Sequence, residues 1–130
     1  MPTSDDVEAC DLEDIYELAA DARNDGVRPQ HRPEEQWFRY EDVGMVCLWE
    51  PQNRTGTMRI SHWWVDEDRR GEGIGEALLD RAIGAAEATD ADRLDIYVYK
   101  TESVENRGFE PAEGGHAQDE AQYYEKPLRQ

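Results

Sequence analysis

The chain has 130 residues, room for one hydrophobic core and one domain over 1–130. It carries 31 Asp and Glu against 14 Lys and Arg, a formal charge of −17 at pH 7, so it should repel nucleic acid and anionic membranes; neither is expected as a partner. Charge of this size often marks disorder, but four tryptophans, six tyrosines and periodic apolar segments argue against it.

Lys100 and Lys126 are the only lysines. Arginine in place of lysine and a surface rich in carboxylate suit a cell interior at molar salt, where the Debye length falls to about 3 Å and self-repulsion is screened. The composition is therefore read as halophilic. Cys10 and Cys47 lie far apart and imply no disulfide framework. There is neither a basic-plus-apolar leader nor a long apolar run, so the expected location is the cytoplasm.

In chain order, Met1 to Ala9 reads as polar and loose. Asp11 caps a helix, with Asp14 three residues on in a weak capping box. Leu12, Ile15, Leu18, Ala19 and Ala22 form its apolar stripe to about Arg23, and Gly26 and Pro29 end it. Gly26 to Glu35 is a loop. Trp37 to Tyr40 and Val43 to Glu50 read as strands around a Glu41-Asp42 turn. A second turn, Pro51 to Gly56, leads to a third strand, Thr57 to Val65. A glycine-rich turn follows, then a helix from about Gly73 to Ala88 with Ala77, Leu78, Ala82, Ile83 and Ala86 at helical spacing. Arg93 to Tyr99 is a strand with Leu94, Ile96 and Val98 on one face. Gly108 to Pro111 and Gln122 to Lys126 read as closing strands. This order gives an α/β (α+β) domain, a mixed sheet with helices on its faces.

The stretch from Trp63 to Leu79 carries the chemistry. Gly71, Gly73 and Gly75 let the backbone turn tightly and leave room for a ligand. The helix they open presents unpaired N–H groups and a positive dipole end, an anion site suited to phosphate, and Arg69 and Arg70 precede it. A P-loop would need a lysine after the glycines, and the dinucleotide fingerprint ends in register on Glu76 or Leu78. Neither fits. Arg70-x-x-Gly73-x-Gly75, preceded by Trp63-Trp64-Val65 and followed by an amphipathic helix, resembles the acetyl-coenzyme A loop of the GNAT family, the Gcn5-related N-acetyltransferases. Gly108-Phe109 resembles the Gly-Phe after that family's last helix.

The resemblance implies the GNAT fold, an acyltransferase activity, acetyl-CoA as cosubstrate and a small-molecule or peptide amine as acceptor. It implies coenzyme contacts along Trp63, Trp64, Val65, Arg69, Arg70, Gly71, Glu72, Gly73, Ile74 and Gly75, with Glu72 turned to solvent. The pantetheine arm would add to the strand near Trp63 and Val65, and the pyrophosphate would sit on the glycine loop. The same implication places acceptor-side structure near Tyr16, Arg23, His31 and Arg32, though solvated loop residues are the plainer reading of each. It also allows a homodimer through sheet edges or exchange of the tail bearing Tyr123-Tyr124.

Amine acetylation needs a base, an oxyanion donor near Trp63 to Val65 and a proton for the thiolate, whose free pKa is about 8.5. His62 and Glu50 are the candidate bases. The family's usual proton donor is a tyrosine four residues before Gly-Phe; that position is Val104 here, in a segment too short for a full helix and without the family's Asn-x-x-Ala. Tyr97, Tyr99, Tyr123 or Tyr124 would have to stand in, although packing is the default role of each. A coenzyme-binding domain acting as sensor or interaction module without turnover is the alternative. His31, His62 and His116 are scattered and the cysteines are not spaced as ligands, so no metal is expected. Ser61 and Ser103 lack adjacent His-Asp partners, which leaves a hydrolase triad unsupported.

Overall fold

Among the described residues there are seven strands: β1 (Glu8–Cys10), β2 (Gln36–Tyr40), β3 (Gly44–Trp49), β4 (Thr57–Val65), β5 (Arg93–Val98), β6 (Glu110–Pro111) and β7 (Gln122–Pro127). The computed structural model describes residues 1–15, 17–20, 35–51, 55–113 and 121–128. Tyr16, Arg23, His31, Arg32, His116, the expected helix end and most of the loop to Glu35 lie outside these residues. The strands form one sheet in the order β1-β2-β3-β4-β5-β7-β6. Every neighbouring pair is antiparallel except β4 and β5, which run parallel across the middle.

Helix α1 (Ile74–Glu87) is the crossover between those two parallel strands, with Gly73 as its N-cap and Ala88 as its C-cap. Its buried residues, Ile74, Ala77, Leu78, Leu79, Ala82, Ile83 and Ala86, follow the three-to-four spacing of a core-facing stripe. They pack with Phe38, Val46, Leu48, Ile60, Leu94, Ile96 and Val98 on one face of the sheet. Burying each of the larger aliphatic side chains contributes about 1.5–3 kcal/mol. The opposite face carries a smaller cluster of Ile15, Leu18, Trp37, Met45, Cys47 and Trp64. Strand β3, at the centre of the larger antiparallel half, is therefore buried on both sides, and its even and odd positions feed different clusters. Among the described residues no helix is long and apolar enough to cross a membrane.

The N-terminal segment is more ordered than its composition suggests. Residues Ser4–Asp6 form a 3-10 turn and Glu8–Cys10 pair with β2. Only three residues long, β1 is too short to show periodicity, while Val7 just before it is buried against α1. The expected helix at Asp11 begins as a 3-10 turn, Leu12–Ile15, and residues 17–20 are helical. Asp14 reaches back to the Asp11 backbone N–H at 3.0 Å, the carboxylate half of the expected capping box. The last helix, α2 (Glu102–Glu105), is a single turn. Tyr123 and Tyr124 are buried in β7, between β5 and β6, so copies exchanging this tail would trade an interior strand.

A buried ion pair joins the two parallel strands. Asp95, fully buried on β5, accepts from Arg59 Nε at 2.9 Å and Nη2 at 3.0 Å and from the Tyr123 hydroxyl at 2.6 Å. Asp95→Ala leaves the Arg59 charge in a mostly dry layer. It should cost about 3 kcal/mol, the low end for a broken buried pair, because the Arg59 side chain keeps 18% exposure. Arg59→Met/Asp95→Asn, whose amide oxygen still accepts from Tyr123, should cost much less. Urea unfolding of the three proteins at molar KCl tests the ordering.

Candidate active site

The site begins as a fault in strand pairing. Met45 faces Trp64 and Cys47 faces Ser61, so three residues of β3 span four of β4. The extra residue lies at His62, whose φ of +53° is in the left-handed region that a β-carbon disfavours. Such a bulge bends its strand and increases its twist. On its other side β4 pairs with β5 only from Thr57–Arg93 to Ile60–Ile96. Beyond Ile60 the strands part, and the facing edges of residues 61–65 and 97–98 are not joined by a ladder. Backbone donors and acceptors left there can pair with an extended amide-bearing ligand, as an added strand would.

The glycine turn closes one end of this opening. A 3-10 turn, Glu67–Arg69, capped by the Asp66 side chain, precedes it. Gly71 and Gly73 have φ values of +85° and +87°, positions that strain any residue with a β-carbon. Gly73 as N-cap has no side chain to satisfy the first N–H groups of α1, so these and the helix dipole are available to an anion. The Trp63 indole donates to the Gly75 carbonyl at 2.8 Å, tying the turn to the bulged strand. Arg70 Nε donates to the Val65 carbonyl at 2.9 Å, which fixes that guanidinium at the cleft wall.

The resulting cleft has a volume of about 840 Å³. Of the expected coenzyme contacts, Trp63, Trp64, Val65, Arg70, Gly71, Gly73 and Gly75 line it. The other three do not. Arg69 pairs with Glu72 at 3.0 Å and with Glu41 at 3.6 Å, and Ile74 is buried in the core. Glu72 is exposed on the outside of the turn.

His62 lines the cleft, and its Nδ1 lies 2.7 Å from Ser61 Oγ. Ser61 in turn accepts from the Trp49 indole at 2.8 Å, and the His62 ring leans on Trp37. Glu50 is exposed just beyond the end of β3 and outside the lining. Val104 is wholly buried in the core. The Tyr123 hydroxyl is committed to Asp95 and that of Tyr124 to Glu105, at 3.3 Å. Tyr97 and Tyr99 line the cleft. Both cysteines are thiols; Cys47 is buried, and burial pushes the Cys10 thiol up to about 11 despite the opposing charge of Arg39, so it stays protonated at neutral pH. Among the described residues no three His, Cys, Asp or Glu side chains are grouped to hold a metal ion.

Sequence reasoning missed Lys100, Ser103 and Glu76 in the lining, and Arg59 on the strand that leads into it. Burial on its own would lower the Arg59 guanidinium; the hydrogen bonds and charge of Asp95 outweigh it and hold the group above the usual arginine range. A signal for Arg59 existed: Arg59 is the one arginine, lysine or acid in β4 and Asp95 the one acid in β5, and a charge buried in a strand needs a counter-charge.

The model of the acetyltransferase (GNAT) family matches residues 5–109. No curated protein sequence matches the chain. Solved structures share the fold at low identity. N-acetylglutamate synthase from Neisseria gonorrhoeae, complexed with coenzyme A and L-arginine, is 20% identical with a TM-score of 0.70; the alignment covers 95% of this chain and 34% of that one. This chain thus spans about a third of that enzyme's length. Rv2747 from Mycobacterium tuberculosis, in complex with CoA and NLQ, is 16% identical with a TM-score of 0.73, over 95% of this chain and 99% of that one. An N-acetyltransferase from Staphylococcus aureus Mu50 is 20% identical with a TM-score of 0.72, over 95% and 98%. With a family match across most of its length, a seven-stranded sheet parted at β4 and β5, and a glycine turn at the parting, the chain belongs to the GNAT family of acetyltransferases.

Proposed function

We propose that the chain, as one cytoplasmic domain over 1–130, transfers acetyl from acetyl-CoA to a primary amine by direct attack in a ternary complex. One observation carries the reading: the parted edges beyond Ile60 and Ile96 and the uncapped helix end at Gly73 open into the same cleft. The residues present fit the coenzyme. A volume of about 840 Å³ is within the range of ligand sites, the strand edges suit the amides of a pantetheine arm, and the glycine turn suits a pyrophosphate. Arg70 and Lys100 supply positive charge on the lining.

The thioester supplies the acyl group, and the chain's residues supply the proton traffic. His62 takes the acceptor's ammonium proton, with Ser61 on Nδ1 orienting the ring. The amine nitrogen then bonds to the acetyl carbon, whose carbonyl oxygen becomes an oxyanion; the nitrogen gives up its second proton to solvent as the carbonyl re-forms and the carbon–sulfur bond breaks. Backbone N–H groups of Trp63 to Val65 turned to the cleft stabilise the oxyanion. A tyrosine at the end of β5, Tyr97 or Tyr99, returns a proton to the leaving thiolate. Glu50 is the second candidate base and, outside the lining, would act through water.

The surface charge and the scarcity of lysine support a molar-salt interior as the working environment. A homodimer fits the reading too, without being needed to complete the cleft. The second reading, a coenzyme-binding sensor or interaction module, is favoured by the burial of Val104 where the family usually has its tyrosine.

Two experiments test these assignments at molar KCl. Calorimetric titration should show acetyl-CoA binding that Gly73→Glu weakens by more than about 100-fold, or two decades at 1.4 kcal/mol each, because the substitution strains a φ of +87° and puts a carboxylate against the phosphates. Wild type that is folded and does not bind would end the acetyltransferase reading. His62→Gln should lower kcat by about 10²–10⁴ with acetyl-CoA affinity retained. The same loss in Glu50→Gln, with His62→Gln near wild type, would move the base to Glu50. Firm binding with no acetylation across an amine panel decides for the sensor.

A further inference from the structure

The face of the sheet opposite α1 carries a row of side chains fixed by register. Trp49, Arg59 and Asp95 are cross-strand neighbours on β3, β4 and β5. Asp95, fully buried, accepts from Arg59 and Tyr123 inside this layer. Arg59 has an edge left over. Its Nε and Nη2 serve Asp95, and Nη1 has no partner among the described residues. The guanidinium lies 5.6 Å from the Trp49 ring and 5.2 Å from the Tyr97 ring. Those π faces hold its plane but accept no strong N–H bond. The Arg59 side chain retains 18% exposure, while Asp95 retains none.

A guanidinium can use its second edge on a carbonyl or another carboxylate as well as on its counter-ion. Other described arginines do this: Arg107 bonds Asp80 and also the Ser103 carbonyl, and Arg39 bonds Glu8 and the Asp14 carbonyl. Arg59 instead presents an aromatic-walled edge on the face that bears Ser61. Along β4 it is three residues from His62, about 10 Å at about 3.3 Å per residue, a span an arginine side chain covers in part. Tyr97, one of its two walls, also lines the cleft.

We infer that the Arg59 edge, between Trp49 and Tyr97, binds a carboxylate of the acceptor, so that the acceptor is a small amino acid rather than a simple amine or polyamine. This deepens, and rests on, the acetyltransferase reading of the cleft. The acidic surface disfavours such a substrate only at long range, and molar salt screens that repulsion; a hydrogen-bonded charge pair at contact is screened much less. A polyamine would meet the Arg59 charge as a like charge.

The test uses matched acceptors, an α-amino acid and the amine formed by removing its carboxylate, assayed by release of the coenzyme thiol at molar KCl. Wild type should prefer the amino acid in kcat/KM by about 10- to 100-fold, the worth of one charged hydrogen bond. Arg59→Met/Asp95→Asn, with its fold checked by circular dichroism and its acetyl-CoA affinity by calorimetry, should lose that preference through a higher KM for the amino acid. Arg59→Lys, which keeps the charge without the planar fork, should retain part of it. Equal use of both acceptors by wild type, or a preference unchanged in the double variant, overturns the inference alone. Turnover of neither by a protein that binds acetyl-CoA removes the transferase reading, and the inference with it.

Discussion

The extra residue at His62 is the constraint on which the site depends. It bends and twists β4 just after Ile60, where the ladder with β5 ends and the cleft opens. The same residue resets the alternation of side chains. Met58 and Ile60 face α1, and so do Trp63 and Val65, an odd shift that only a bulge permits. Trp63 is thereby sent toward the glycine turn, where its indole holds the Gly75 carbonyl, while Trp64 fills the opposite cluster beside Trp37 and Met45. One backbone irregularity thus bends β4 at the cleft, turns His62 into it and sends Trp63 to the glycine turn. A left-handed φ at a non-glycine residue costs of order 1–3 kcal/mol, and it persists because both tryptophans fix the chain on either side of the sheet.

The helix end must also be brought to the parting, and packing does this. Gly44 on β3 lies under Ile74 and Leu78; a β-carbon there would sit 2.9 Å from Leu78 Cδ1 and 3.1 Å from Ile74 Cγ2. A methyl group there would push the tip of Leu78 aside and crowd Ile74, so the bare position favours close seating of the first turn of α1. Gly44 also pairs with Val65, the last residue of β4. The strand that ends at the cleft and the helix that starts there therefore share one contact point, and the turn between them has little freedom to drift from the opening.

Much of this could be read from the residues. Strand β4 and helix α1 fall within a residue or so of the expected limits because Thr57 to Val65 is rich in β-branched and aromatic residues and the helix is bounded by a glycine at its start and periodic throughout. The bulge could not be read, since His62 carries no turn residue's signature and its register depends on Met45 and Cys47 in another strand. Arg69 and Arg70 were both expected at the coenzyme, although the motif begins at Arg70; in the fold Arg69 meets Glu72 and Glu41 while Arg70 meets the Val65 carbonyl. Strand β1 was hidden by its length and its charge. Arg59 and Asp95 were legible as charges within strands, but their pairing rests on the parallel register of β4 with β5.

That buried pair behaves unlike the other described ion pairs when salt changes. Arg39 with Glu8, Arg69 with Glu72, Arg93 with Glu125 and Arg107 with Asp80 are each open to solvent on at least one side. At molar salt, with a Debye length near about 3 Å, such pairs are screened at distances where they still attract at low salt. So is the mutual repulsion of 31 carboxylates, which outweighs those attractions in a chain of charge −17. Asp95 is sealed from ions, so its grip on Arg59 and Tyr123 changes little over the same range. Salt therefore acts on the shell, by relieving repulsion, and leaves the polar layer behind the cleft nearly constant. The site can keep one geometry across salt concentrations that alter the stability of the surrounding fold.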